Sequence, residues 1–322
     1  MAQVAAINDR GLNRLHRVSP LFQSYSREEW AAFRSGGSVP FSASDLQALS
    51  GLNEIVSTEE ATAIYPPLSY LLSLHMAAAR HLNHTITDGF FARPPVDRPF
   101  VIGIAGSVAV GKSTFARLLQ AILSRAPERP KVALVATDGF LHPTSVLTQR
   151  GLMRRKGFPE SYDLRRMLAF LIALKTGEPA LQVPVYSHHS YDIVPGKFQD
   201  VDQPDIVIFE GLNVLQPASW PVVASDYFDF SIYLDADADH IERWYVERFL
   251  LLQKTVFQEP KSYFHHYKNL NTEQARETAS SVWHDINLPN LRTNIEPTRE
   301  RASLVLRKGS SHALEEVWLR RT

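Results

Sequence analysis

The chain has 322 residues with 34 basic and 34 acidic side chains, so its formal net charge is +0 and no basic excess is available to neutralise a long nucleic acid. A hydrophobic fraction of 44% with 10% aromatics is that of a globular protein with a sizeable core, and the absence of cysteine removes disulfides, thiolate nucleophiles and sulfur-ligated zinc. The N terminus has no apolar run of signal-peptide type and the apolar stretches elsewhere are strand-sized, so the expectation is a soluble cytoplasmic protein with neither a membrane nor a nucleic-acid partner.

The first hundred residues lack strong strand patterns. Ser26 followed three residues later by Glu29 is a capping pair that opens a helix. Residues 44–52 and 66–82 are further helical candidates, and the second sets Leu68, Leu71, Leu72, His75 and Met76 at helical spacing. A proline-rich link follows at residues 93–99, and there the pattern changes.

Short apolar runs then alternate with helices. Residues 100–105 form the first predicted strand. Residues 113–125 form a helix with Phe115, Leu118, Leu119, Ile122 and Leu123 on one face. Residues 132–137, 206–209, 230–234 and 303–306 are further strands. Runs that are apolar on both faces and separated by helices predict a mostly parallel sheet covered on both sides. We read residues 1–322 as a single α/β domain, with an N-terminal helical extension over 1–99 and a nucleotide- and substrate-binding core over 100–322. A true boundary at the proline link is the alternative.

Between the first strand and its helix stand Gly106, Ser107, Val108, Ala109, Val110, Gly111, Lys112 and Ser113, which fit G-x-x-x-x-G-K-[ST] at every fixed position. Glycines let the backbone curl so that successive N–H groups point into one concavity that holds phosphates. Lys112 adds positive charge near the transferring phosphate, and the Ser113 hydroxyl is a ligand for Mg²⁺. The helix that starts here adds its N-terminal dipole. The segment binds a nucleotide, with ATP as the expected one.

Such a loop does not separate a metabolite kinase from a motor, a switch or a transporter ATPase. Two carboxylates decide. Asp138 follows the second strand and Glu210 ends the third, and the carboxyl ends of strands are where α/β sheets hold ligands. One would orient or deprotonate an acceptor hydroxyl while the other holds Mg²⁺, directly or through water. The N-K-x-D motif by which GTPases read their base is absent, which disfavours a switch protein.

With these motifs the sequence resembles the bacterial type I pantothenate kinases. The loop at 106–113 is similar to that family's version even at its variable positions. Residues 137–141, 156–162, 184–188, 210–215 and 297–302 look like family blocks in family order. The similarity runs from near Tyr25 to the C terminus, whereas the first twenty residues match no block. Uridine kinases and phosphoribulokinases share the loop and fold but not this set.

The resemblance implies a P-loop NTPase-like three-layer fold and transfer of the ATP γ-phosphate to the 4′-hydroxyl of pantothenate, the first step toward coenzyme A. It implies Asp138 as general base, with Lys112 and Arg248 stabilising charge on the transferring group. Tyr186, His188, Tyr191, Tyr245 and Asn287 match pantothenate-contacting positions, together with Asp138. Asn53 and His312 match positions near the adenine. Lys112, Arg117 and His188 match positions implicated in feedback binding of coenzyme A. A homodimer is implied as well. Phe249, Phe257, Phe264 and Tyr267 look like the family's aromatic wall, but Leu252 stands where some members carry phenylalanine, which bears on the form of feedback.

The residues also speak for themselves. Tyr245, Arg248, Phe249 and Leu252 are spaced i, i+3, i+4 and i+7 and share one helix face. An amphipathic helix burying that stripe in the core is the alternative, and Arg248 argues against it, since a buried arginine needs a partner. The pairs His188-His189 and His265-His266 point in different directions and lack a third ligand, so no transition-metal site is read from them. Two other activities stay open at this level: a kinase of similar fold with a nucleoside or sugar phosphate as acceptor, and a catalytically silent nucleotide-binding regulator.

Overall fold

The computed structural model describes residues 19–34, 41–51, 54, 56–217 and 222–321; Asn53 and the first eighteen residues lie outside them. A strand that the sequence did not announce opens the described chain. β1 (Phe22–Ser26) has one fully buried residue, Phe22, and pairs antiparallel with β9 (Leu314–Arg320). Its five residues carry no clear alternation, and pairing with a distant strand is what makes them extended. This corrects the expectation of a strand-free N-terminal region.

Ser26 ends that strand and caps α1 (Arg27–Ala31) in a full capping box with Glu29. α2 (Ala43–Leu49) repeats the device with Ser42 and Asp45. α3 (Thr58–His84) begins eight residues before the predicted 66–82 segment, capped by Ser57, and runs through Pro66 and Pro67. Its first half is buried through Ile64, Tyr65, Leu68 and Leu72. Trp30 Nε1 donates to Ile64 O at 3.1 Å, and Tyr65 lies 5.5 Å from the Phe115 ring. These N-terminal side chains join the same continuous apolar core as the central strands.

The proline link leads into β2 (Phe100–Gly106), every residue of which is buried. α4 (Lys112–Leu123) starts one residue before the predicted 113. Next come β3 (Val132–Ala136), α5 (Thr144–Gln149) and α6 (Leu164–Thr176). β4 (Leu181–Ser187) and β5 (Asp192–Val201) make a separate antiparallel hairpin that the sequence reading did not include. β6 (Ile206–Glu210), β7 (Phe230–Asp235), α7 (Ala238–Lys254), α8 (Thr272–Val282) and β8 (Leu304–Lys308) complete the core.

The seven-stranded sheet has the order β1-β9-β8-β7-β2-β6-β3. β3, β6, β2, β7 and β8 are mutually parallel, and β9 and β1 close one side antiparallel. β2, β6 and β7 are buried throughout, which is why they read as unbroken apolar runs. From β2 the chain moves out to β3, returns through β6, and then crosses to β7 on the other side. The strand order therefore reverses at β2, the place where open α/β sheets form a ligand crevice at their carboxyl ends.

A second, smaller apolar cluster lies outside this core. Val246 and Phe249 from α7, Phe257, and Ala275 and Ala279 from α8 form it, with Tyr245, Leu252, Phe264 and Tyr267 against it. The predicted stripe of α7 is thus divided: Phe249 is buried, while Tyr245 and Arg248 are half-buried.

Candidate active site

The phosphate loop takes its shape from glycine. Gly111 caps α4 with φ +96°, and a β-carbon there would lie 2.6 Å from Lys308 Nζ. The loop therefore closes tightly and α4 begins at Lys112, so its first unpaired N–H groups face the concavity. Lys112 Nζ donates to Ser107 O at 2.7 Å. Burial lowers the Lys112 pKa, and the charges of Glu210 and Asp138 oppose that shift. Ser107 and Val110 are buried inside the turn, as is most of Ala109; Val108 is half-buried.

Ser113 Oγ donates to Glu210 Oε2 at 3.2 Å, joining the start of α4 to the end of β6. Burial raises the Glu210 pKa, with Lys112 and Ser113 acting against it. Gly211, the next residue, has to be glycine because a β-carbon would meet Thr137 Oγ1 at 1.8 Å. That close approach sets the turn after β6 against the turn after β3, where Asp138 sits in a 3₁₀ segment, Thr137–Phe140. A hydroxyl and a carboxylate at the head of the loop are suitable oxygen donors for a hard divalent cation.

The β4–β5 hairpin supplies the opposite wall. Tyr186 stands near the end of β4, and His188 and Tyr191 follow in the turn, where Tyr191 has φ +53°. His188 Nε2 lies 3.9 Å from Asp138 Oδ2, its ring open to the cleft. The Tyr186 ring is 5.2 Å from His188 and 6.4 Å from Tyr191. Burial pushes both phenols above their ordinary pKa, so they are neutral donors at working pH.

From α7, Tyr245 interacts with the Asn287 side chain and packs 6.0 Å from Trp283. Arg248 is close enough for its charge to act on both Lys112 and His188. Phe249, Phe257, Phe264 and Tyr267 pack on one another, with Phe264 and Tyr267 stacked at an interplanar angle of 12°. Tyr191 reaches this group through Phe264 at 4.9 Å.

Two predicted residues stand further out. Arg117 donates from Nε to Leu49 O at 2.9 Å and from Nη2 to Thr114 Oγ1 at 3.2 Å, bracing the end of α2 against α4. His312 lies in the turn between β8 and β9 with φ +71°. Its ring sits 3.8 Å from Trp244, and Lys308 Nζ donates to its Nδ1 at 3.0 Å. An ammonium has no lone pair, so Nδ1 is the acceptor and the ring proton is on Nε2. Burial and the Lys308 charge push the His312 pKa down to about 4, keeping it neutral.

Sequence reasoning gave no role to Lys156. Its Nζ touches Thr144 Oγ1 at 3.3 Å, Tyr191 O and, at 3.9 Å, the face of the Tyr191 ring. Burial lowers its pKa to about 8, opposed by Asp192 and Asp138. Only its place in the block at 156–162 hinted at it. Lys308 had no signal at all, because its approach to the phosphate loop follows from its place at the end of β8 in the sheet order.

Comparison with known proteins fits this geometry. Residues 101–248 match the "Phosphoribulokinase / Uridine kinase family". Over 302 residues the chain is 54% identical to a pantothenate kinase of Sorangium cellulosum, covering 93% of this chain and 98% of that one. The chain belongs to the pantothenate kinase family. The pantothenate kinase of Parvibaculum lavamentivorans is 49% identical over 330 residues, with 100% of both chains covered. Membership makes the chain a kinase. Among solved structures, D-glycerate 3-kinase from Cryptococcus neoformans superposes with TM-score 0.55 at 15% identity, over 77% of this chain and 97% of that one. That likeness speaks for the shared P-loop kinase fold.

Proposed function

We propose that the protein transfers the γ-phosphate of ATP to the 4′-hydroxyl of pantothenate, opening coenzyme A synthesis. The observation that carries this is the meeting of Asp138 and His188 at 3.9 Å beside Lys112, in a chain that keeps the family's blocks along nearly its whole length. The phosphate loop takes the nucleotide phosphates. Lys112 and Arg248 balance charge on the transferring oxygens, the largest catalytic contribution in such a site. Phosphoryl transfer is loose, so Asp138 chiefly orients the hydroxyl and takes its proton late. Ser113 and Glu210 would hold Mg²⁺, directly or through water, which neutralises charge between the phosphates when bound.

Pantothenate has a carboxylate, an amide and two hydroxyls on a branched apolar body. Tyr186, His188, Tyr191, Tyr245 and Asn287 offer hydrogen-bond groups on an aromatic surface, the combination such a molecule needs. Lys156 adds a cation on the same wall. His312, with Asn53 from outside the described residues, is assigned to the adenine. Coenzyme A would inhibit by overlapping the ATP site through Lys112, Arg117 and His188. The chain acts as one kinase domain, in which β1 and the N-terminal helices pack onto the core. An ATP-dependent first step of this kind belongs in the cytoplasm, and among the described residues no helix is long and apolar enough to cross a membrane.

A homodimer is part of this reading. Leu74, Leu82, Ile86, Phe90 and Phe91 are exposed along the distal half of α3 and its continuation, Phe90 by 78%. Exposed apolar side chains grouped on one segment are what a protein–protein contact would cover.

The test is ATP consumption with pantothenate, uridine and ribulose 5-phosphate offered in turn. Turnover with pantothenate alone is expected. Turnover with one of the others, or with none, would overturn the assignment.

A further inference from the structure

The turn between β8 and β9 meets the phosphate loop at two points. Lys308, only 8% exposed, ends β8 where the ladder to β9 slips register, so that it pairs with Leu314 and leaves Glu315 as an extra residue. A bulge of this kind re-aims the side chains beside it. The turn then tightens: His312 N–H donates to Gly309 O at 3.1 Å and Gly309 N–H to Ala313 O at 2.9 Å, with His312 in the left-handed region. The His312 ring thereby folds back on the strand it left and accepts at Nδ1 from Lys308 Nζ.

The first point of contact is Gly111, which Lys308 Nζ approaches so closely that a β-carbon there would lie 2.6 Å away. The second is Ala109, whose carbonyl acts on the His312 ring and favours a proton on it. Lys308 takes Nδ1, so the proton available to that carbonyl is the one on Nε2. The attraction is electrostatic and falls short of full hydrogen-bond geometry. Ala109 itself stands at φ +60°, a conformation that a residue with a β-carbon keeps only where its surroundings impose it.

Lys308 must be an ammonium to fix the ring in this way. Burial lowers its pKa, and the charges of Glu54 and Glu60 oppose that shift. Glu60 is 4% exposed in the first turn of α3, so the N-terminal region supplies countercharge to a lysine at the phosphate loop. We propose that Lys308 is a positioning residue for the phosphate loop: by donating to His312 it fixes the ring as an Nε2–H donor, and that donor holds the Ala109 carbonyl, leaving the N–H groups of the loop to face the phosphates. The consequence for ATP rests on the kinase reading above; the state of the ring does not.

Imidazole ¹⁵N–¹H correlation spectra of the full chain, with His312→Gln to assign the ring, should show one neutral tautomer with its proton on Nε2. Lys308→Met should give mixed tautomers and weaken ATP binding by about tenfold. Because that variant strands buried carboxylates, Lys308→Met combined with Glu60→Gln is the second measurement. The pair should recover thermal stability but neither the single tautomer nor the ATP affinity. A proton on Nδ1 in the unaltered chain, or an ATP affinity that stays or returns to normal in the double variant, would overturn the proposal and leave Lys308 a structural charge. ATP binding is titrated without turnover, so a chain that responds as expected yet never phosphorylates pantothenate would fail only the kinase reading.

Discussion

Ser113 Oγ and Glu210 Oε2 meet at 3.2 Å although ninety-seven residues separate them. One residue opens α4 and the other closes β6, and the parallel pairing of β2 with β6 is what brings them level. The phosphate loop thereby acquires a carboxylate that its own eight residues do not contain.

If Glu210 serves the divalent cation, Glu210→Gln keeps the shape and removes the charge. The expected outcome is a Mg²⁺ requirement raised by about tenfold to a hundredfold, with the fold intact. Turnover titrated against Mg²⁺ checks it, and an unchanged titration would remove Glu210 from the metal role.

Asp138→Ala should cut turnover by about 10²–10⁴ while ATP affinity largely survives. Asp138 acts on Lys112 and His188 only through space, so the loop keeps its form. Steady-state kinetics beside a nucleotide-binding titration separates the two effects. Wild-type turnover in the variant would refute the assignment.

Lys156 makes a prediction in pH. Burial lowers its folded pKa to about 8 from the model-peptide 10.5. Between those values the unfolded chain holds more protons than the folded one, so this group's contribution to stability rises with pH across that window. Acceptor binding should do the reverse, because a carboxylate favours the ammonium. The KM for pantothenate is expected to rise above about pH 8, and Lys156→Met should give a higher KM with no such rise. Parallel profiles in the two proteins would separate Lys156 from the acceptor.

The exposed seam on α3 offers a prediction independent of the chemistry. Leu82→Glu combined with Phe90→Glu puts charge into the apolar patch and should yield monomers by light scattering, with secondary structure unchanged. Dimers that persist would move the interface elsewhere. A single band of monomer in the unaltered chain would dispose of the dimer itself.

Much of the core was legible because its signals are local. The apolar runs of β2, β6 and β7 are buried on both faces, and such strands need no pattern beyond hydrophobicity. Ser26 and Glu29 announce a helix start because a capping box is made within four residues. β1 was not legible, since its five residues extend only by pairing with β9. The stripe on α7 was visible as a stripe, but its division between Phe249, buried, and Arg248, half-buried, depends on which elements lie against it.

The sequence by itself determined the phosphate loop, the two strand-end carboxylates and the family whose blocks the chain carries. Spacing within a few residues is enough to define a turn that wraps phosphates, and long runs of matching residues are enough to name relatives. Only the tertiary structure decided that Glu210 faces Ser113, that His188 faces Asp138, and that Lys156 and Lys308 join the site. Those contacts cross tens to hundreds of residues, and their distances follow from strand order and the close approach of Gly211 to Thr137, which no local pattern encodes.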